Sequence, residues 1–224
     1  TGLVAAGGAE LSVDEAGEDV HVLGLFVDPD EPNLVARLAG FREVRERRAE
    51  TMVARLAALG VSLDLGAIRE AVGDGAFGRP HVARALVAAG AVSSVPEAFD
   101  RYLGKGAPAY VPKAKWELSE AIEAVREAGG LSVLAHPVWY SDVPGLLRKG
   151  RDLGLDGVEV FHPDNDGREE AFLREAVSLG LLVSGGSDFH SPAYGSPVGA
   201  RRLAEPFWER LAEAATSRRR APGR

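Results

Sequence analysis

Apolar and polar positions along this 224-residue chain change rhythm twice. Short apolar runs broken by glycine come first: residues 3–6, then Ala9-Glu10-Leu11-Ser12-Val13 after Gly7-Gly8. The run 20–27 is strongly β-prone, and His21 faces the side opposite Val20 and Val22. Joined through the polar turn 14–19, the two runs predict a hairpin that brings Glu10 and His21 close. From 31 to 115 the period becomes helical. Leu34, Leu38, Phe41, Met52, Val53, Leu56 and Leu59, set among dense Arg and Glu, predict one long amphipathic helix or two in series, closed by Gly60. Further helices are expected over 65–72, stopped by Gly73-Asp74-Gly75, and over 79–89, where Pro80 suits a first turn. Another runs from Ser94 or Val95 to Leu103, with Ser94 as N-cap. This block carries no strand pattern. After Lys115 helix and strand alternate: helices over 116–128, 143–153, 169–179 and 206–215, strands over 131–135, 157–161 and 181–183. Such alternation predicts an α/β fold, a parallel sheet or barrel with helices outside.

Three strands in the last part each run into a candidate metal ligand. They lead to His136, to His162, and to Gly185-Gly186-Ser187-Asp188-Phe189-His190. Strand ends are where α/β folds build sites. Asp188 and His190, two residues apart, can both point at one ion if the backbone stays extended. Carboxylate and imidazole suit Mn²⁺, Fe²⁺ or Zn²⁺. The plain alternative is a turn in which Asp188 caps the next segment and His190 is incidental; three ligand-bearing strand ends favour the metal site. Arg79 and His81 open a helix, where free N–H groups and the dipole attract anions, and Arg84 lies one turn on. The competing reading makes these arginines ordinary solvated side chains.

Composition narrows the partners. With 46% hydrophobic and 26% charged residues the chain is an ordinary globular protein. A net charge of −7 leaves no global basic field, so no stable nucleic-acid complex is expected. The absence of cysteine excludes disulfides and thiolate metal sites and fits a reducing compartment, the cytoplasm. No apolar run approaches the roughly 20 residues of a membrane span, and no leader pattern is visible.

The motifs in order resemble one family. Gly8-Ala9-Glu10-Leu11-Ser12, His21-Val22-Leu23-Gly24, Ala135-His136-Pro137 and Gly186-Ser187-Asp188-Phe189-His190 resemble those of the PHP (polymerase and histidinol phosphatase) superfamily. Gly78-Arg79-Pro80-His81-Val82-Ala83-Arg84 and the stretch 102–112 are similar to its branch acting on nucleotides and short RNA 5′ ends. The resemblance implies a distorted (β/α)₇ barrel, from 1–30 and 116–215, with a helical substrate-capping insertion at 31–115 and a frayed tail at 216–224. It implies Glu10, His21, His136, Asp188 and His190 as metal ligands, with Glu10, Asp188 and His190 the catalytic group. His162 and Ser187 would stand beside them, and Arg79, His81 and Arg84 would hold substrate. In an intact family member up to three divalent ions are implied, Mn²⁺ first and Fe²⁺, Zn²⁺ or Mg²⁺ as alternatives. The implied activity is hydrolysis of a phosphomonoester on a nucleotide, a nucleoside 3′,5′-bisphosphate or the 5′ end of a short oligonucleotide. A histidinol-phosphatase-like enzyme and an inactive metal- or phosphate-binding barrel are the alternatives. Family sequences open with a strand ending Asp-Leu-His-x-His and another ending Asp-His-Asp. Neither is in this sequence, so the barrel is expected to be N-terminally incomplete.

Overall fold

The structure, a computed structural model, describes residues 5–73, 77–190 and 196–220. Residues 3–4 of the first apolar run, Asp74 and Gly75 of the expected helix stop, and 221–224 of the expected tail lie outside the described residues. The chain divides into two compact units, Thr1–Val35 with Lys115–Arg224, and Ala36–Ala114.

The first unit is a mixed α/β layer. Strands β1 (Gly8–Glu15) and β2 (Glu18–Leu25) pair antiparallel, and a two-residue turn joins them. Ala16 and Gly17 both take positive φ, the mirror-image turn that matches strand twist, and Gly17 N–H donates to Asp14 Oδ1 at 3.0 Å. Leu11, Val13, Val20 and Val22 are buried on one face, which leaves Glu10 and His21 on the other. A short β3 (Trp116–Glu117) runs parallel to β1. Beyond β2 come β4 (Leu131–Leu134), β5 (Gly157–Phe161) and β6 (Leu182–Gly185), giving the order β3-β1-β2-β4-β5-β6. Strands β4, β5 and β6 are mutually parallel, and β4 pairs antiparallel with β2. All residues of β4 are buried, as a strand covered on both faces requires.

Helices close the parallel crossovers. Helix α5 (Leu118–Glu127) buries Leu118, Ala121, Ile122, Ala124 and Val125 as one stripe. A fully buried Val or Leu contributes about 1.5–3 kcal/mol. Asp142 caps α6 (Val143–Leu153) by accepting from Gly145 N–H, and α7 (Glu169–Leu179) ends at Gly180 in the left-handed region. The segment expected as one helix over 116–128 thus begins as strand and turns helical at Leu118.

The tail differs from its expectation. Helix α8 (Glu205–Arg220) continues five residues past the predicted end at 215. Arg218 forks onto Asp156, NH2 to Oδ1 at 2.5 Å and NH1 to Oδ2 at 2.9 Å, and Arg219 donates to the Phe26 carbonyl at 2.7 Å. Only 11% of the Asp156 side chain is exposed, so the bidentate pair forms where water competes weakly, and it anchors the last turn.

The second unit is helical, with no strand among its described residues. Helix α1 (Pro32–Ala58) is one continuous element that leads into it, followed by α2 (Leu65–Val72), α3 (Arg79–Ala88) and α4 (Val95–Ala98). Met52, Leu56, Ile68, Phe77, Val82, Leu86 and Leu103 form its core. The helix expected over 94–103 widens after Ala98 into a π turn at Phe99–Leu103. Gly104 closes that turn, where its N–H meets the Phe99 carbonyl at 2.7 Å and a Cβ would meet the same oxygen.

Candidate metal centre

The hairpin register builds half of the site. Glu10 stands opposite Leu23 and Ser12 opposite His21, so Glu10 and His21 are diagonal neighbours on one face. Glu10 Oε1 lies 2.6 Å from His21 Nδ1, as the sequence pattern anticipated. His136 enters from the end of β4, its Nε2 at 3.4 Å from Glu10 Oε1 and 3.1 Å from His21 Nδ1. These three form a group whose donor atoms all lie within 4.8 Å of one another.

Spacings of about 3 Å between one carboxylate oxygen and two imidazole nitrogens suit donors sharing an ion at roughly 2.1 Å. The donor set therefore fits a divalent metal. The acid at its centre is strongly ionised: hydrogen bonds from His136 and then His21 hold the Glu10 carboxyl far below the ordinary carboxylate range, against the opposing effect of burial.

His136 is held from three sides. Its backbone takes φ 26° and ψ 62°, a left-handed conformation costly for a residue with a Cβ. Its N–H donates to Glu159 Oε2 at 2.9 Å, and its Nδ1 lies 3.2 Å from the Tyr140 hydroxyl. That hydroxyl also accepts from the His21 N–H at 2.9 Å, so one phenol ties together both imidazole residues. Burial pushes the Tyr140 hydroxyl pKa well up, which keeps it neutral. Trp139, its side chain exposed, sets its ring 4.1 Å from that of His136.

A second group of candidate ligands lies beyond the end of β6. Asp188 has φ 50°, so the chain is not extended there, contrary to the condition set for Asp188 and His190. The two still lie side by side: His190 Nδ1 is 2.8 Å from the Asp188 carbonyl and 3.5 Å from its Oδ1. Asp188 Oδ2 faces His162 Nε2 at 3.7 Å. His162 is buried, and its Nε2 has no hydrogen-bond partner among the described residues. Its Nδ1 accepts the Asp164 N–H at 3.1 Å, so in the neutral ring the proton rests on Nε2, the nitrogen facing Asp188. Burial, and then the charge of His136, lowers the His162 pKa and favours that neutral form. Ser187 is half-buried in the same loop.

Glu159 links the corners and was missed in the sequence. It is buried within β5, and its carboxyl pKa is raised to about 7 by burial first, then by Asp188 and Glu10, against the His136 N–H. An acid inside a strand whose first four residues are buried is out of place unless it has a partner, but that burial is not visible in the sequence. Tyr140 and Trp139 were missed too.

Arg79, His81 and Arg84 all lie in the helical unit. His81 Nδ1 accepts the Gly78 N–H at 3.1 Å, and Arg79 sits 5.7 Å from the Phe99 ring and 5.5 Å from that of Tyr110. Arg84 lines an open pocket of about 560 Å³ between α2 and α3, together with His81, Ile68 and Ala85.

The chain is 36% identical over 218 residues to a 3′,5′-nucleoside bisphosphate phosphatase of Chromobacterium violaceum, a match covering 91% of this chain and 75% of that protein. It is 35% identical over 191 residues to a 5′-3′ exoribonuclease of Haemophilus influenzae, covering 83% of this chain and 69% of the relative. Among solved structures, a metal-dependent phosphoesterase from Bifidobacterium adolescentis superposes with a TM-score of 0.77 at 30% identity, over 92% of this chain and 75% of that one. No protein-family model matches the chain.

Proposed function

The chain belongs to the PHP-type metal-dependent phosphoesterases, and from that premise we propose that it hydrolyses the phosphomonoester of a nucleotide, a nucleoside 3′,5′-bisphosphate or the 5′ end of a short oligonucleotide. The observation that carries this reading is the convergence of Glu10, His21 and His136 on one point. Asp188 and His190 add to that ligand set from the end of β6, and Mn²⁺ is the ion we assign. A divalent ion bound there supplies Lewis-acid polarisation of a phosphoryl oxygen and a nucleophile at neutral pH.

The chain's own residues prepare that chemistry. Glu10 stays anionic through the working pH range. With an ion in place the His136 proton would rest on Nδ1, facing the Tyr140 hydroxyl, and Nε2 would present its lone pair to the centre. Glu159 fixes the turn that carries His136, and the buried His162 Nε2 faces Asp188 at 3.7 Å. Arg79, His81 and Arg84 bind substrate phosphate as counter-charge. The absence of cysteine suits the cytoplasm, and no helix among the described residues is long and apolar enough to cross a membrane.

The test is phosphate release from a nucleoside 3′,5′-bisphosphate, a nucleoside 5′-monophosphate and a 5′-phosphorylated dinucleotide with Mn²⁺. Release that depends on Mn²⁺ and is lost in His136→Ala is expected. Release no greater than from His136→Ala on every substrate rejects the reading.

A further inference from the structure

Beside the metal centre the fold holds an aromatic ring open to solvent. Trp139 ends a single helical turn, Pro137–Trp139, that follows His136. Its ring lies 4.1 Å from the His136 ring, with planes 36° apart, and 6.2 Å from the ring of His162. A neighbour as close as His136 covers one face of the indole, yet Trp139 remains 55% exposed. Burying so large an apolar ring is favourable, so an open one forgoes stability. His136 is already tied without it, by the Glu159 carboxylate on its N–H and the Tyr140 hydroxyl at its Nδ1.

The turn that carries the indole is fixed. Pro137 sets φ at its first position. Val138 N–H donates to Asn165 Oδ1 at 3.3 Å, and the Asn165 amide donates to the Glu159 and Val160 carbonyls at 2.9 and 3.0 Å. Asn165 is itself buried, so Trp139 is presented from an amide anchored on β5. Of the described Trp and Phe residues, Trp139, Phe189 and Trp208 are exposed. Trp208 sets its ring 5.7 Å from that of Phe26. The other two stand in the segments that carry His136 and the Asp188–His190 pair.

Apolar rings at the rim of a charged donor set suit a substrate with two unlike ends. A phosphate held by an ion at Glu10, His21 and His136 leaves its base one ribose away, and the indole stands next to one of those donors. Stacking tolerates any base, because every base has a π-face, and an indole offers rigid area at little entropic cost. We propose that Trp139 is the platform on which the nucleobase of the substrate stacks, and that it sets a preference for nucleotides over sugar phosphates bearing the same phosphomonoester. This rests on the nucleotide reading given above and assigns the part of the substrate that reading leaves without a partner.

At saturating Mn²⁺, kcat/KM is compared for a purine nucleoside 5′-monophosphate, a pyrimidine nucleoside 5′-monophosphate and ribose 5-phosphate. Both nucleotides should be preferred over ribose 5-phosphate, and Trp139→Ala should shrink that preference roughly ten-fold. Trp139→Phe, which keeps a smaller aromatic face, should retain most of it. Only the ratio is read, so a loss common to all three substrates, from a disturbed His136, cancels. A second readout needs no turnover: a phosphonate analogue of the purine nucleotide is titrated into the Mn²⁺-loaded chain, with tryptophan fluorescence excited beyond the purine absorption band. Saturable quenching is expected, and Trp139→Phe should abolish it, because Trp116 is buried and Trp208 stands in α8. A wild-type ratio near one overturns the proposal, as does a ratio equal in wild type and Trp139→Ala. So does quenching that is absent in the wild type or persists in Trp139→Phe. Release from all three substrates no greater than from His136→Ala counts against the nucleotide reading instead, and the fluorescence titration then decides for Trp139 alone.

Discussion

The two groups proposed as corners of the metal centre are built by different means. Glu10 and His21 sit on paired strands, and their separation is set by a register in which eight residue pairs face one another. Asp188 and His190 sit in the loop that follows β6, where the pairing of β5 with β6 ends at Gly185. The Glu10 corner is tied at 2.6, 3.1 and 3.4 Å, whereas Asp188 stands 3.5 and 3.7 Å from its two histidine neighbours. Sheet register positions side chains before any ligand arrives. A loop corner leaves more to the ion.

The largest effects should therefore come from the strand corner. Glu10→Gln and His136→Ala should each lower Mn²⁺-dependent phosphate release by at least about 100-fold and reduce bound metal. His190→Ala should cost less, on the order of ten-fold, because its ring is half exposed and hydrogen-bonded to its own chain two residues back. Steady-state rates and metal content, measured side by side, check the ranking. Equal losses for His136→Ala and His190→Ala would break the contrast between the corners.

The same physics explains what could be read from the sequence. Alternation with a period of two placed Glu10 and His21 on one face, and the polar turn around Gly17 joined their strands. Both are local signals, and both needed only the pleat. The strand ends carrying His136, His162 and Asp188 were equally legible. The turn at Asp188 was not, since its positive φ follows from how the loop after β6 closes and not from a motif. Glu159 was hidden because Gly-Val-Glu-Val-Phe reads as an ordinary strand until its burial is known. The last turn of α8 depends on Asp156, 62 residues away from Arg218, and no periodicity reports such a pair.

A middle-sized effect should come from Glu159, which bridges the corners. Its carboxyl pKa rises from 4.5 to about 7 on folding, so between those values the folded chain binds more protons than the unfolded chain. Stability from this group is thus complete below about pH 4.5 and is lost as pH rises through about 7. The change amounts to about 3 kcal/mol, as a carboxyl pKa raised from 4.5 to about 7 implies. Thermal unfolding of the metal-free chain should show this decline, and Glu159→Gln, which can still accept the His136 N–H, should flatten it. A slope that survives Glu159→Gln would place the responsible group elsewhere.

The smallest effect separates register from packing as the source of order at the strand corner. Trp139 covers His136 with a ring 4.1 Å away, yet its side chain is 55% exposed. Its removal leaves the other restraints on His136 intact: the Glu159 carboxylate on the backbone and the Tyr140 hydroxyl on Nδ1. Trp139→Ala should consequently lower Mn²⁺ affinity by less than about ten-fold, the lower bound for losing a partner of a metal ligand. Trp139→Phe should recover most of it by restoring an aromatic face. Competition with a fluorescent chelator measures both. A loss in Trp139→Ala larger than that in His190→Ala would mean that His136 owes its position to the ring above it, and the advantage of the strand corner would then lie in stacking and not in the register of the sheet.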